Sequence, residues 1–112
     1  MDIGIGLWCL QSTATSPRSF GQAYQELAED ARLAEDNGIH SLWLSEHHGY
    51  YDGYCPALMP AAGAALAATE SLQIGTGVLL LPLHEPHRVA NAANLLNEQS
   101  SGRFQLGVGM GY

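Results

Sequence analysis

The sequence predicts an α/β fold in which parallel strands alternate with helices. Three observations carry that prediction. Short apolar runs of β character alternate with longer stretches of helical spacing, and the order reads strand, helix, strand, helix, strand, helix, strand. The strand and helix unit recurs about every 30 to 35 residues, the length a βαβ crossover requires. A strand that returns in the same direction needs such a long connection, and the connection is right-handed.

The first strand is marked by Ile3, Ile5 and Leu7 alternating with Gly4 and Gly6 ahead of Trp8. The glycines permit close approach by another group. Ser12 to Ser19 reads as loop. From Phe20 to Asn37, Tyr24, Leu27, Ala28, Ala31 and Ala34 repeat at helical spacing, with Glu26, Glu29, Asp30 and Arg32 facing elsewhere and Gly38 as the stop. Ile39 to Ser45 is the second strand. An alanine-rich helix is expected from Pro56 to Thr69, where Pro56 and Pro60 are tolerated only near the first turn. Leu72 to Leu81 is the third strand, and Pro86 opens a helix with Val89, Ala92, Ala93 and Leu96 on one face, ended by Gly102. Phe104 to Val108 is the fourth strand.

The 112 residues fit a single domain, 1–112, with 46% hydrophobic and 13% charged residues, material for a packed core. Eleven acidic residues face four arginines and no lysine, a formal charge of -7. Neither nucleic acid nor an anionic membrane is an expected partner of so acidic a chain. Cys9 and Cys55 have no zinc-like or CxxC spacing and read as free thiols. Met1-Asp2-Ile3 lacks the basic flank of a secretory leader, and no run approaches the roughly 20 apolar residues of a membrane span, so a cytoplasmic location is expected.

The best candidate for chemistry is the junction where Leu42-Trp43-Leu44-Ser45 runs into Glu46-His47-His48. In parallel α/β folds the carboxyl ends of strands face the ligand. Adjacent histidines alternate sides if the strand continues, so one should point inward. Imidazole titrates near neutrality and a carboxylate can orient it. The competing reading is a solvated loop pair or a structural hydrogen bond. A metal site is not expected, because adjacent histidines seldom chelate one ion and no other ligands stand at recognisable spacing. His84, His87 and Arg88 could touch an anionic ligand, but a solvated helix terminus explains them more simply and is the reading preferred.

Gly75-Thr76-Gly77-Val78 interrupts the third strand, where glycine costs about 0.5 to 1 kcal/mol relative to alanine. Either a bulge admits a flat ring to the backbone or a tight packing position requires the glycines. Gly107-Val108-Gly109-Met110-Gly111 is a poor match to a dinucleotide-binding turn, since its third glycine is one position early and no helix follows. Parallel sheets are almost always buried on both faces, so the three helices either divide between the two faces or all lie on one while the other meets something absent from this chain, and the second is the favoured expectation.

Together, Leu42-Trp43-Leu44-Ser45-Glu46-His47-His48, Ile74-Gly75-Thr76-Gly77-Val78 with Pro82, His84-Glu85-Pro86-His87-Arg88 and Ser100-Ser101-Gly102-Arg103-Phe104 resemble the N-terminal portion of the bacterial luciferase-like, flavin-dependent monooxygenases. The resemblance spans nearly the whole chain. It implies the first half, strands one to four, of a TIM (β/α)₈ barrel about three times this length. It also implies reduced FMN as cofactor, or in one branch a deazaflavin coenzyme, with dioxygen and a small organic molecule as substrates.

By the same resemblance His47 is the active-site histidine and Glu46 orients it. Thr76, Gly77 and Val78 form the bulge on which the flavin ring rests, with a cis peptide between Gly77 and Val78, and Gly109 and Met110 complete the cofactor contacts. Met110 stands where luciferases themselves carry an arginine near the flavin phosphate, and Gly109 replaces their reactive cysteine, which favours a generic relative. Asn91, Asn97 and Gln99 also depart from the family pattern. Barrel phosphate sites are built by loops after strands seven and eight, so an isolated copy is expected to bind FMN weakly. Its open half is expected to meet either a second copy, as a homodimer, or the C-terminal half of the barrel. The alternatives are a deazaflavin-dependent dehydrogenase of the same superfamily and a truncated, non-catalytic protein acting by association.

Overall fold

The computed structural model describes residues 1–7, 12–49 and 55–111. Cys9, Trp8 and the Tyr- and Gly-rich stretch 50–54 lie outside them. Four stretches pair in parallel in the order β1 (Gly4–Leu7), β2 (Ser41–Leu44), β3 (Gln73–Thr76) and β5 (Phe104–Gln105). The register sets Gly4 opposite Ser41, Ser41 opposite Gln73, and Ile74 opposite Phe104. Between them run helices α1 (Phe20–Asp36), α2 (Leu58–Ala68) and α3 (Pro86–Gln99).

Each helix boundary has a local cause. Ser19 accepts from Gln22 N–H while the Gln22 side chain accepts from Ser19 N–H, a reciprocal cap that starts α1. Asn37 closes α1, with Gly38 at φ 75° beyond it. Helix α2 begins two residues after Pro56 and keeps Pro60 in its first turn, where a missing N–H costs nothing. Pro86 opens α3 after Glu85, whose side chain accepts from Arg88 N–H.

All three helices lie on one side of the sheet. Leu27 and Ala31 of α1, Leu58, Ala62 and Ala65 of α2, and Val89 and Leu96 of α3 share one core with Leu42, Leu44, Ile74 and Phe104. On α1 the buried stripe is Ala23, Leu27, Ala31 and Ala34, and Tyr24 is partly exposed. Alternation places Gly4, Gly6 and Trp43 on the opposite face. There the indole N–H donates to Ser41 Oγ at 3.0 Å. A Cβ at Gly75 would overlap the indole ring. Close packing of Trp43 therefore explains that glycine, and no ligand is needed for it.

The third and fourth strands are not continuous. The third breaks after Thr76, resumes as β4 (Leu79–Leu80) and turns into a 3₁₀ segment, Leu81–Leu83; the fourth breaks after Gln105 and resumes as β6 (Val108–Gly109). Strand β4 pairs in parallel with β6, Leu79 opposite Val108 and Leu80 opposite Gly109. The Gly77–Val78 peptide is cis, as the resemblance implied. Across the break Thr76 replaces the ladder with its side chain: its hydroxyl donates to Gly107 O at 2.8 Å and accepts from Gly107 N–H at 2.9 Å. Leu79 N–H then donates to the same carbonyl at 2.9 Å.

Glu35, near the end of α1, locks the loop before β3. Its carboxylate accepts from the N–H groups of Glu70, Ser71 and Leu72 and from the Ser71 hydroxyl. Burial acts to raise its pKa, but the hydrogen bonds from Ser71, Glu70 and Leu72 outweigh it and hold the carboxyl at about 2, below its ordinary value of 4.5. A depressed folded-state pKa contributes stability that is fully present above the unfolded value and is lost as pH falls through the folded one. Glu35→Gln should therefore lower the melting temperature at neutral pH, with the gap to the parent closing between about pH 4.5 and pH 2. Thermal melts across that range test this, and a gap independent of pH would contradict it. Among the described residues, no helix is long and apolar enough to cross a membrane.

Candidate active site

The breaks in the third and fourth strands form a rim at the carboxyl ends of the sheet. A cleft of about 260 Å³ opens there, lined by His47 and His48 after β2, Leu80, Pro82 and Leu83 after the third-strand break, and Met110 after β6. Residues 63 positions apart in the sequence thus share one small space because parallel strands deliver their carboxyl ends to the same side. Ser45 Oγ donates to Gly77 O at 3.0 Å, and Gly77 N–H donates to Leu44 O at 2.7 Å, which ties the histidine loop to the cis peptide. His47 itself is half-buried, and its N–H donates to Cys55 O at 3.1 Å.

Val78 is 40% exposed at this rim, and a Cβ at Gly109 would strike its methyl group. Gly109 is thus glycine because Val78 lies directly against it. Met110, 84% exposed, projects beside them. His47, Val78, Gly109 and Met110 are accordingly brought together on one rim. Thr76 is not: its side chain is fully buried and its hydroxyl is committed to Gly107, so it holds the bulge in place and offers no atom to a ligand.

Glu46 also departs from the sequence reading. Its carboxylate, fully buried, meets His48 and His84, not His47: Nε2 of both rings bonds Oε1, at 2.7 Å for His84, and Leu80 N–H donates to Oε2 at 2.7 Å. An ionised carboxylate only accepts, so both imidazoles carry their proton on Nε2. Burial acts to raise the Glu46 pKa, but the hydrogen bonds from His48, Leu80 N–H and His84 outweigh it and place the carboxyl below its ordinary range. The reading of His84 as solvated is corrected, since it pins the turn after β4 to the loop after β2. His87, 92% exposed beside Glu85, fits that reading. The available signal was topological, because the loops after the second and third strands are neighbours wherever consecutive strands pair side by side, as they do here.

The cleft suits part of a flavin. Its largely apolar walls and adjacent imidazole match a flat ring that needs one protic group. No arginine lines it among the described residues. Arg103 is engaged with backbone carbonyls and Arg18 with Glu26. Among the described residues lining this cleft, a cofactor phosphate therefore meets no arginine.

The family model of the luciferase-like monooxygenases matches residues 2–112. The chain belongs to the luciferase-like monooxygenase family. It is 35% identical over 94 residues to the alkanal monooxygenase alpha chain of Photorhabdus laumondii, covering 82% of this chain and 26% of that one. Its backbone superimposes, with a TM-score of 0.90 and 26% identity, on the oxygenating constituent of 3,6-diketocamphane monooxygenase from a Pseudomonas putida plasmid, a type II Baeyer-Villiger monooxygenase in complex with FMN. That match covers 100% of this chain and 30% of the other. An F420-dependent secondary alcohol dehydrogenase gives a TM-score of 0.69 at 26% identity, covering 98% and 32%. The chain spans about a quarter of the length of the curated relatives it matches, and its fold is a partial luciferase-like barrel.

Proposed function

We propose that this chain supplies the His47 rim of a flavin-dependent monooxygenase that oxygenates a small organic substrate with reduced FMN and dioxygen. The observation that carries the reading is the single rim cleft shared by His47 and Met110, beside Val78 and Gly109. When bound, reduced flavin supplies the electrons that activate dioxygen for transfer to the substrate. The chain's own residues do the rest. Val78 and the apolar side chains of the 3₁₀ segment hold the ring and exclude water. His47 holds a proton at its imidazole beside the reacting edge, where a positioned donor stabilises developing negative charge. Gly109 keeps Val78 in place from below.

The similarity to an enzyme that uses a deazaflavin supports a second reading, hydride transfer without oxygen. A non-catalytic role by association is the third. Joining this chain to the later strands of the alkanal monooxygenase alpha chain is the route to a whole barrel, and once circular dichroism shows that the hybrid folds, all three can be separated. The expected results are oxygen consumption with reduced FMN and a loss of about 10²- to 10⁴-fold in turnover on His47→Ala, with flavin binding retained. Turnover of an alcohol with a deazaflavin under nitrogen would replace the first reading by the second. A folded barrel that binds neither coenzyme would leave the third.

A further inference from the structure

The Glu46 cluster contains more than the proposed flavin chemistry uses. The carboxylate and the two imidazole nitrogens of His48 and His84 lie within 4.8 Å of one another. We propose that Glu46, His48 and His84 form a binding site for a divalent transition metal of the zinc, cobalt or nickel class. This revises the sequence-based expectation, which missed the third ligand because His84 is 36 residues from His48 and arrives through a different rim loop.

Two imidazoles and one carboxylate are a donor set of borderline softness, suited to those ions and poorly suited to magnesium or calcium, which take oxygen ligands. Both Nε2 atoms already point at one acceptor, Oε1. Metal–nitrogen and metal–oxygen bonds are about 2.0 to 2.2 Å. An ion seated between the three atoms needs the two partly exposed imidazoles to withdraw from the carboxylate by a fraction of that length. Each ring keeps its own proton by moving it from Nε2 to Nδ1. No described side chain holds Nδ1 of either ring, and the side chains are 41% and 29% exposed, so water can take up the new donor.

Glu46 is the part that cannot move far, because Leu80 N–H holds its second oxygen. That hydrogen bond is the outer contact that fixes a metal-bound carboxylate in orientation. The exposed side of His48 leaves an entry path and room for water as a further ligand. A bound ion would clamp the loop after β2 to the turn after β4 more firmly than two hydrogen bonds do, adjacent to the His47 cleft.

The test is titration of the whole chain with Zn²⁺ by calorimetry and with Co²⁺ by visible absorption at neutral pH, without flavin, so its outcome is independent of the monooxygenase reading. The result expected is one saturable equivalent and a Co²⁺ band of low coordination number. His84→Ala and His48→Ala, both at partly exposed positions, should each weaken binding by about tenfold or more. His87→Ala and a Cys9→Ser, Cys55→Ser double variant should bind as the parent does. Circular dichroism confirms that each variant folds. Absence of a saturable equivalent in the parent, binding that survives both His84→Ala and His48→Ala, or binding lost with the cysteines would each overturn the proposal.

Discussion

Replacing Arg103 with alanine is expected to destabilise the chain by about 2 to 4 kcal/mol. Its guanidinium donates to Leu66 O and Leu72 O at 3.0 Å and to Thr69 Oγ1 at 3.1 Å, while Nε donates to Ser100 O at 3.1 Å. Four acceptors from the end of α2, the loop beyond it, the start of β3 and the end of α3 are gathered by one side chain. The carbonyl of Leu66 sits in the last turn of α2, where helices leave acceptors without intrahelical partners. Truncation strips all four at once. A planar fork with five donors cannot be copied by an ammonium, so Arg103→Lys should recover less than half of the loss. Chemical denaturation of the three proteins checks both expectations. A cost below about 1 kcal/mol for the alanine variant would show that water replaces the guanidinium without penalty.

The second expectation concerns Thr76. Thr76→Val keeps the shape of a fully buried side chain while leaving Gly107 N–H without its acceptor; the Gly107 carbonyl retains Leu79 N–H. An orphaned buried donor costs about 1 to 3 kcal/mol, and Thr76→Ser, which keeps both hydrogen bonds and loses one methyl, should cost about 1 kcal/mol. The distinctive prediction is the order: the isosteric valine is worse than the smaller serine. If packing alone governed the site, serine would be worse. Because Thr76 holds the third strand to the fourth at the break, the valine variant should also disturb the rim, visible as shifted amide resonances for Val78 and Gly109.

Much of the architecture was legible because it follows from period and punctuation. The 3.6-residue stripe of Leu27, Ala31 and Ala34, with Gly38 behind it, located α1. Pro86 and Gly102 bracketed α3. The strand breaks were legible only in part: Gly75-Thr76-Gly77-Val78 marked an interruption of Leu72 to Leu81, while the break within Phe104 to Val108 depends on long-range hydrogen bonds from Thr76 that residue types do not show. The same limit applied to Glu46. Its neighbour in sequence is His47, but its partners are His48, two residues on, and His84, brought in by the third strand. Gly75 carried two readings, and only the position of the Trp43 ring chose between them. Arg103 stood out as part of a motif, yet three of its four acceptors are backbone carbonyls, which leave no trace in residue types.

The rim account stands or falls on where reduced FMN contacts this chain. Anaerobic titration of the isotope-labelled protein, followed by nuclear magnetic resonance up to millimolar coenzyme so that weak binding registers, reads this directly. The account predicts saturable shifts at His47, Val78, Gly109 and Met110, with α1 unmoved. Shifts confined to the helices or to the Trp43 face, or none at all at those concentrations, would contradict it.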